Sequence, residues 1–305
     1  MTTRIAILMG GWSSEREVSL VSGAAVADSL GELGYHATPI DVGRDIGSKL
    51  TDIRPYTDVV FNALHGRYGE DGCVQGLCEL LDLPYTHSGV LASALAMDKP
   101  MAKRMFSDVG IPICDARTVS REEIEAGDPL PRPYVIKPLN EGSSVGVRIV
   151  TDKDGPAPMG NQQWHYGPEV MVEAYVPGHE VAVAVMGDRA LGALEIRPRE
   201  GFYDYDTKYV EGKADHLMPA PMPEDEYQAA LDYAQRAHDA LGCSGVTRAD
   251  FRYDDSEGGL GLRLLEINTQ PGMTPLSLVP EIAAYAGITF SALVEWMVED
   301  AQCRA

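Results

Sequence analysis

Two carboxylates and an amide in the last third of this 305-residue chain have the types and spacing to hold a hard cation. Glu266 and Asn268 are two positions apart in LLEINTQPG, so on an extended strand they face the same way, and Asp250 ends the neighbouring run VTRAD. Oxygen donors of this kind suit Mg²⁺, which keeps water ligands and bridges phosphates. Taken alone, Glu266 and Asn268 also suit a solvated sheet edge, because alternating polar faces are common. The sequence that follows favours a site: Pro271 and Pro275 restrict the backbone, and Gly272 permits close approach of a ligand. Arg248 precedes Asp250 by two and shares its face. It could stabilise charge on a transferring phosphoryl group or an oxyanion, or simply pair with Asp250 or Glu266.

Candidate cations and loops lie upstream. Lys137 sits in the apolar run VIKP, where an ammonium costs desolvation unless it meets an anion. Lys99, after Met97-Asp98, is a second candidate or an ordinary helix-surface lysine. EGSSVG, Glu141 to Gly146, supplies glycines, hydroxyls and backbone N–H groups that could wrap a phosphate, although most glycine-serine hairpins are only hairpins. GGWSSEREVS lacks the G-x-G-x-x-G spacing of a dinucleotide turn; its Glu15 suits a substrate ammonium or a first helical turn. His65 follows a strand, at the end where α/β folds place ligands. FYDYDTKY puts Tyr203, Tyr205, Lys208 and Tyr209 in a loop of about twenty residues, a length usual for lids or disordered segments; its Tyr and Asp content favours a lid over a plain interdomain packing loop.

Composition removes several classes of function. With 46 acidic against 25 basic residues the net charge is -21, which disfavours nucleic acid and anionic membranes while leaving room for a local phosphate site. No apolar run approaches a membrane span, and the N-terminal one is too short for a signal peptide. Five scattered cysteines and histidines without zinc spacing indicate a reduced, cytoplasmic protein without transition-metal chemistry.

The elements that must position these residues read as a multidomain α/β chain. A strand at Arg4–Met9, a helix at Val18–Leu33, a second strand at Asp58–Leu64 and a helix at Cys73–Leu81 predict a parallel α/β domain over residues 1–95. A helix from Ala96 through Asp108, two strands flanking EGSSVG, and strands at Val170–Val176 and Glu180–Met186 predict an antiparallel-rich central domain over 96–180. The remainder, 181–305, holds a strand at Ala190–Ile196, the aromatic loop, a helix after Pro223, and strands at Gly245–Tyr253 and Leu262–Asn268.

In order, GGWSSEREVSLVSG, ALHGRYGEDG, MDK, VIKP, EGSSVGV, VPGHEVAV, FYDYDTKY, TRADF and LLEINTQPGMTPLSLVP closely resemble the D-alanine–D-alanine ligases, members of the ATP-grasp family, from Gly10 through Pro280. The resemblance implies an ATP-grasp fold with the nucleotide cleft between the central and C-terminal domains. It implies Lys99, Lys137 and Lys208 near phosphates, Glu141, Gly142, Ser143 and Ser144 as the covering loop, Glu173, Ala174, Tyr175 and Val176 at adenine, and Glu180 on the ribose. Asp250, Glu266 and Asn268 would hold two Mg²⁺, with Mn²⁺ as a substitute. Two D-alanine molecules would be joined through a D-alanyl phosphate to D-alanyl-D-alanine, for peptidoglycan precursor synthesis. Glu15 would hold the first ammonium, His65 would lie near the first carboxylate, Arg248 and the Gly272 N–H would meet the oxyanion, and Ser277 would take the second carboxylate. Tyr203 and Tyr209 would belong to the lid, with Tyr203 meeting substrate and Tyr209 bonded to Glu15 and the serine loop. Tyr209 resembles the dipeptide-forming type rather than the D-lactate-using relatives, which carry Phe near this role; Thr207 departs from the family's alanine. A cytoplasmic homodimer joined through the N-terminal domain is also implied.

Overall fold

A computed structural model describes residues 2–140, 146–155, 167–199 and 212–304. Its strands fall into three sheets. The first is parallel, with β1 (Arg4–Gly10) between β2 (His36–Val42) and β3 (Val59–Asn62). Ile5, Ile7 and Leu8 of β1 are buried, as the central strand of a covered parallel sheet requires. Helix α1 (Arg16–Glu32) packs on β1, while α2 (Ile46–Ile53) and α3 (Cys73–Leu80) help enclose a core around Leu50 and Tyr85. The sequence reading takes 58–64 as the second strand and misses β2. The physical reason is plain: β2 is a largely exposed edge, and Pro39 removes a donor that only an edge position can spare.

A second correction concerns the helix expected from Ala96 through Asp108. It is two helices, α4 (Val90–Met97) and α5 (Lys99–Asp108), separated by Asp98 at φ -85, ψ 92. Asp98 accepts a hydrogen bond from the Met101 N–H at 3.1 Å and Pro100 occupies the first turn, so both residues favour a new start here. Lys99 is therefore the first residue of α5 rather than a mid-helix side chain.

The second sheet is antiparallel and contains β4 (Ala116–Ser120), β5 (Tyr134–Pro138), β6 (Arg148–Val150) and β7 (Glu169–Ala174), in the order β4-β7-β5-β6. With α6 (Arg121–Ala126) it closes over a small core that includes Ile124, Tyr134, Ile136 and Val172. At Gly178 the chain leaves this sheet for the third. Gly178 has φ +88, and a Cβ there would lie 2.1 Å from the Tyr253 carbonyl oxygen, so only glycine fits.

The third sheet is also antiparallel: β8 (His179–Met186), β9 (Arg189–Pro198), β10 (Ala214–Leu217), β11 (Val246–Asp254) and β12 (Gly261–Asn268), in the order β10-β9-β8-β11-β12. One face packs Val181, Val183 and Phe251 with α5 and α7 (Glu224–Ala240). The opposite face packs Ala182, Ala184 and Leu194 against α8 (Leu278–Tyr285) and α9 (Phe290–Glu299), in a core that continues into α1. Among the described residues, no single helix is long and apolar enough to cross a membrane.

Candidate active site

The register of β11 against β12 brings the acidic residues together. Asp250 lies opposite Glu266 and Arg248 opposite Asn268, and residues paired directly across antiparallel strands share a face. A bulge between Asp250 and Phe251 follows immediately, as bulges often do beside sites. Arg248 grips Asp250 with two parallel bonds, Nε to Oδ1 at 2.7 Å and Nη2 to Oδ2 at 2.8 Å. Asn268 Oδ1 accepts from the Gln270 N–H at 2.8 Å, which fixes the start of the Pro-Gly loop. Glu266 Oε2 is 3.6 Å from Lys99 Nζ.

Helix α5 connects this wall to the other sheet. Lys99 reaches Glu266 on β12 and Lys103, one turn later, pairs with Glu173 on β7. Lys137 of β5 donates to the second oxygen of Glu173 at 2.5 Å. Burial alone would push the Glu173 carboxyl up, but the ammonium groups of Lys137 and Lys103 outweigh it and hold it below the usual carboxylate range. For Lys137 burial acts downward, and the charge of Glu173 more than reverses it. Lys103 escaped the sequence reading because MAKRMF looks like an ordinary amphipathic turn; its only signal is the four-residue step from Lys99. Replacing Lys103 by Met leaves the buried Glu173 with one partner. The expected result is a loss of about 1.5–3 kcal/mol of stability by denaturant midpoint, with partial recovery in Lys103→Arg. An unchanged midpoint would show that the contact carries nothing.

The other residues expected at the nucleotide are placed as follows. The Ala174 and Tyr175 N–H groups donate to the Asp115 and Pro133 carbonyls, at 2.8 and 3.2 Å. Val176 is buried, and Glu180 lies opposite Arg252, 3.9 Å from its Nη1. Glu141, Gly142, Ser143, Ser144, Tyr203, Lys208 and Tyr209 lie outside the described residues.

Loops from the first sheet supply the remaining groups. Glu15 is buried against Gly66, whose φ is +71 and where a Cβ would come within 2.7 Å of Glu15 Oε2. The Gly66 N–H donates to Glu70 Oε1 at 2.9 Å, so two carboxyl groups flank one glycine. Glu70 was not singled out in the sequence, although it stands in GRYGEDG. Burial, reinforced by the charge of Glu15, raises its carboxyl well above the ordinary value. His65 Nε2 lies 3.2 Å from Ser22 Oγ, and Ser22 Oγ accepts from the Met273 N–H at 3.2 Å. His65 thus braces α1 and the Pro-Gly loop. Gln270, also missed, donates to the Leu64 carbonyl and accepts from Asn62 Nδ2 at 2.8 Å. Ser277 Oγ accepts from the Thr274 N–H at 2.9 Å, and a Cβ on Gly272 would stand 2.9 Å from that oxygen.

Burial lowers His65 to about 4 and His87 to about 3, so both rings are neutral near pH 7. A buried neutral histidine costs stability in acid, because the unfolded chain takes up a proton near pH 6.5 that the folded chain refuses. Acidification below about pH 6.5 should therefore destabilise the wild type relative to His87→Asn, which also tolerates the positive φ of 71. Denaturant midpoints of both proteins across pH 7 to 5 check this; parallel profiles would contradict it.

The donor set fits a hard divalent cation in one particular way. Asp250, Glu266 and Asn268 offer only oxygen, but among the described residues no three His, Cys, Asp or Glu side chains gather around one point. A cation here needs further ligands from phosphates and water, which is the habit of Mg²⁺ rather than of metals held by all-protein cages.

Known proteins resemble this chain over nearly its whole length. Residues 105–299 match the family described as D-ala D-ala ligase C-terminus, and residues 45–88 match D-ala D-ala ligase N-terminus. The chain is 56% identical to the D-alanine–D-alanine ligase of Paramagnetospirillum magneticum, covering 99% of this chain and 100% of that one. It is 53% identical to that of Granulibacter bethesdensis, covering 99% of each. The D-alanine–D-alanine ligase of Bacillus anthracis complexed with ATP superposes with a TM-score of 0.81 at 32% identity, over 98% of this chain and 97% of that one. The D-Ala:D-Ser ligase VanG of Enterococcus faecalis gives 0.82 at 30%, over 98% and 99%. Near-complete coverage at such identity, on an ATP-grasp architecture, places the chain in the D-alanine–D-alanine ligase family.

Proposed function

We propose that the chain joins two D-alanine molecules into D-alanyl-D-alanine at the expense of ATP, for peptidoglycan precursor synthesis, in the cleft between β11–β12 and β5–β7. The observation that carries the site assignment is the register that sets Arg248, Asp250, Glu266 and Asn268 on one face, joined through Lys99 and α5 to the Lys103–Glu173–Lys137 cluster.

A carboxylate oxygen of the first D-alanine attacks the γ-phosphorus of ATP, the bond to the β-phosphate oxygen breaks, and ADP leaves a D-alanyl phosphate. The second D-alanine, its amine deprotonated, attacks the acyl carbon; the tetrahedral intermediate collapses, phosphate departs with its bonding pair, and the peptide bond remains. Glu15 holds the ammonium of the first substrate, with the neutral His65 bracing the loops around its carboxylate. Lys99 and Lys137 contact ATP phosphates, and their ion pairs with Glu266 and Glu173 keep both ammonium groups placed before nucleotide arrives. Arg248 and the Gly272 N–H face the oxyanion, while Ser277 at the start of α8 takes the carboxylate of the acceptor. Mg²⁺ bound by Asp250, Glu266 and Asn268 would neutralise the phosphate oxygens. Ser143, Ser144, Tyr203, Lys208 and Tyr209 are assigned to covering the phosphates and excluding water from the acyl phosphate on the strength of their motifs alone. The proposal includes a cytoplasmic homodimer joined through the N-terminal part, for which sedimentation of the purified chain is the check.

The likeness to a D-Ala:D-Ser ligase is as high as that to a D-alanine–D-alanine ligase, so fold alone does not select the acceptor. Tyr209 in YDYDTKY supports an amine acceptor over D-lactate, and identities of 56% and 53% to D-alanine–D-alanine ligases, against 30% to the D-Ala:D-Ser ligase, support D-alanine over D-serine. Incubation with ATP, Mg²⁺ and D-alanine, with and without D-serine or D-lactate, tests this by identification of the products. D-alanine-dependent ADP release with D-alanyl-D-alanine as the main product is expected. A mixed product formed in preference would overturn the acceptor assignment, and absence of any D-alanine-dependent ADP would overturn the ligase reading.

A further inference from the structure

Between the second and third sheets the chain crosses through Val176, Pro177 and Gly178, where Pro177 has no N–H to donate. Arg252 of β11 ties this crossing down. Its Nε donates to the Val176 carbonyl at 3.1 Å and its Nη2 to the Gly178 carbonyl at 2.8 Å, so one guanidinium straddles the proline. Among the described residues no other side chain bonds these two carbonyls. The third nitrogen, Nη1, lies 3.9 Å from Glu180 Oε2. Arg252 stands directly opposite Glu180 in the pairing of β11 with β8, which puts both side chains on one face. They are only 17% and 16% exposed, so water screens their attraction less than at the surface. The same face carries the residues proposed for the reaction. Arg248, Asp250 and Arg252 follow at two-residue steps along β11, whose register with β8 is unbroken through this stretch. The row therefore runs from the oxyanion donor and the cation ligand to the crossing.

We propose that Arg252 is a positioning residue for the nucleotide: it holds the Val176–Gly178 crossing and the Glu180 carboxylate in one geometry, and so sets how strongly the ribose of ATP is recognised. This rests on the ligase reading above, in which Val176 meets adenine and Glu180 meets the ribose. A guanidinium suits the task because its rigid planar fork reaches two carbonyls and a carboxylate at once, whereas an ammonium is a point charge on a flexible stem. Holding Glu180 in place before ATP arrives keeps it ready for hydroxyl donors and removes an ordering cost from binding. Arg252 acts on the nucleoside end of the ligand, which the bound substrate and the transition state share. Its effect therefore falls on the KM for ATP rather than on kcat.

The test is calorimetric titration of the full chain with ATP, 2′-deoxy-ATP and 3′-deoxy-ATP, with Mg²⁺ present and D-alanine absent, for wild type, Arg252→Met and Arg252→Lys. Methionine keeps the packing of the stem and removes every donor. Wild type is expected to bind at least one deoxy analogue about tenfold or more weakly than ATP. In Arg252→Met the Kd for ATP should rise about tenfold while the deoxy penalty shrinks to about threefold or less. Arg252→Lys should fall between the two, and it keeps the test open should methionine unfold the chain. In turnover the same variants should raise the KM for ATP and leave that for D-alanine in place. The proposal is overturned if wild type binds both deoxy analogues as tightly as ATP, or if the variants keep the wild-type Kd and deoxy penalty. It is also overturned if ATP and both analogues weaken by the same factor, since Arg252 would then serve only to hold the crossing. A wild type that bound ATP with the ribose preference but made no dipeptide would sink the ligase reading and leave Arg252 in its role.

Discussion

Glu266→Gln is expected to lower kcat by about 10²-fold or more at saturating ATP and Mg²⁺, with little change in folding stability. The substitution keeps the shape of the side chain and one oxygen acceptor but removes the charge opposite Asp250. Two consequences follow from the arrangement. The cation proposed at this face loses one of two carboxylates, so the phosphate oxygens are less completely neutralised as charge moves. Lys99, 3.6 Å from Glu266, also loses the anion that holds it in place. Stability should barely respond, because the Glu266 side chain is 34% exposed and such ion pairs contribute little. Turnover measured together with a denaturant midpoint separates the two effects. Near-normal turnover with saturating Mg²⁺ would remove Glu266 from the reaction.

Arg248→Met should be comparably severe, with kcat/KM for D-alanine falling by about 10²–10³-fold. Arg248 shares a face with Asn268 and is held by its fork onto Asp250, which fixes a planar donor ready to act on a transient oxyanion. Methionine preserves the packing of the stem while removing every donor. It also strips Asp250 of its partner, so a fall in stability of about 1.5–3 kcal/mol is expected alongside. Arg248→Lys provides the control: the charge returns without the planar fork, stability recovers, and most of the kinetic loss remains. If lysine restores turnover in full, Arg248 serves only to hold Asp250.

The parts of this site that could be read in the sequence are those fixed by local period. The two-residue steps Arg248 to Asp250 and Glu266 to Asn268 announce a shared face on each strand, and the pairing of the strands supplies the rest. The Pro-Gly punctuation after Asn268 marks where the strand must end. What was not legible depends on contacts across long separations. Gln270 meets Asn62 from 208 positions away, and Lys103 finds Glu173 only because α5 lies beside β7; neither partner is implied by the residues next to it. The break at Asp98 was hidden because ASALAMDKPMAKRMF carries helical periodicity through both helices, while the cap and the proline that divide them occupy only two positions. β2 was lost for the opposite reason, since an exposed edge strand with a proline has almost no apolar pattern to read. Glu70 stood within a recognised motif, but its environment comes from Glu15, whose loop approaches from another part of the sheet.

The phosphoryl-transfer centre itself is tested most directly by anomalous diffraction from crystals grown with Mn²⁺ and a non-hydrolysable ATP analogue. Metal peaks bridging the analogue's phosphates to Asp250, Glu266 and Asn268, with Lys99 and Lys137 on the same phosphates, are the predicted result. A fully occupied nucleotide with its metal held elsewhere, or with those three side chains turned from it, would contradict the account.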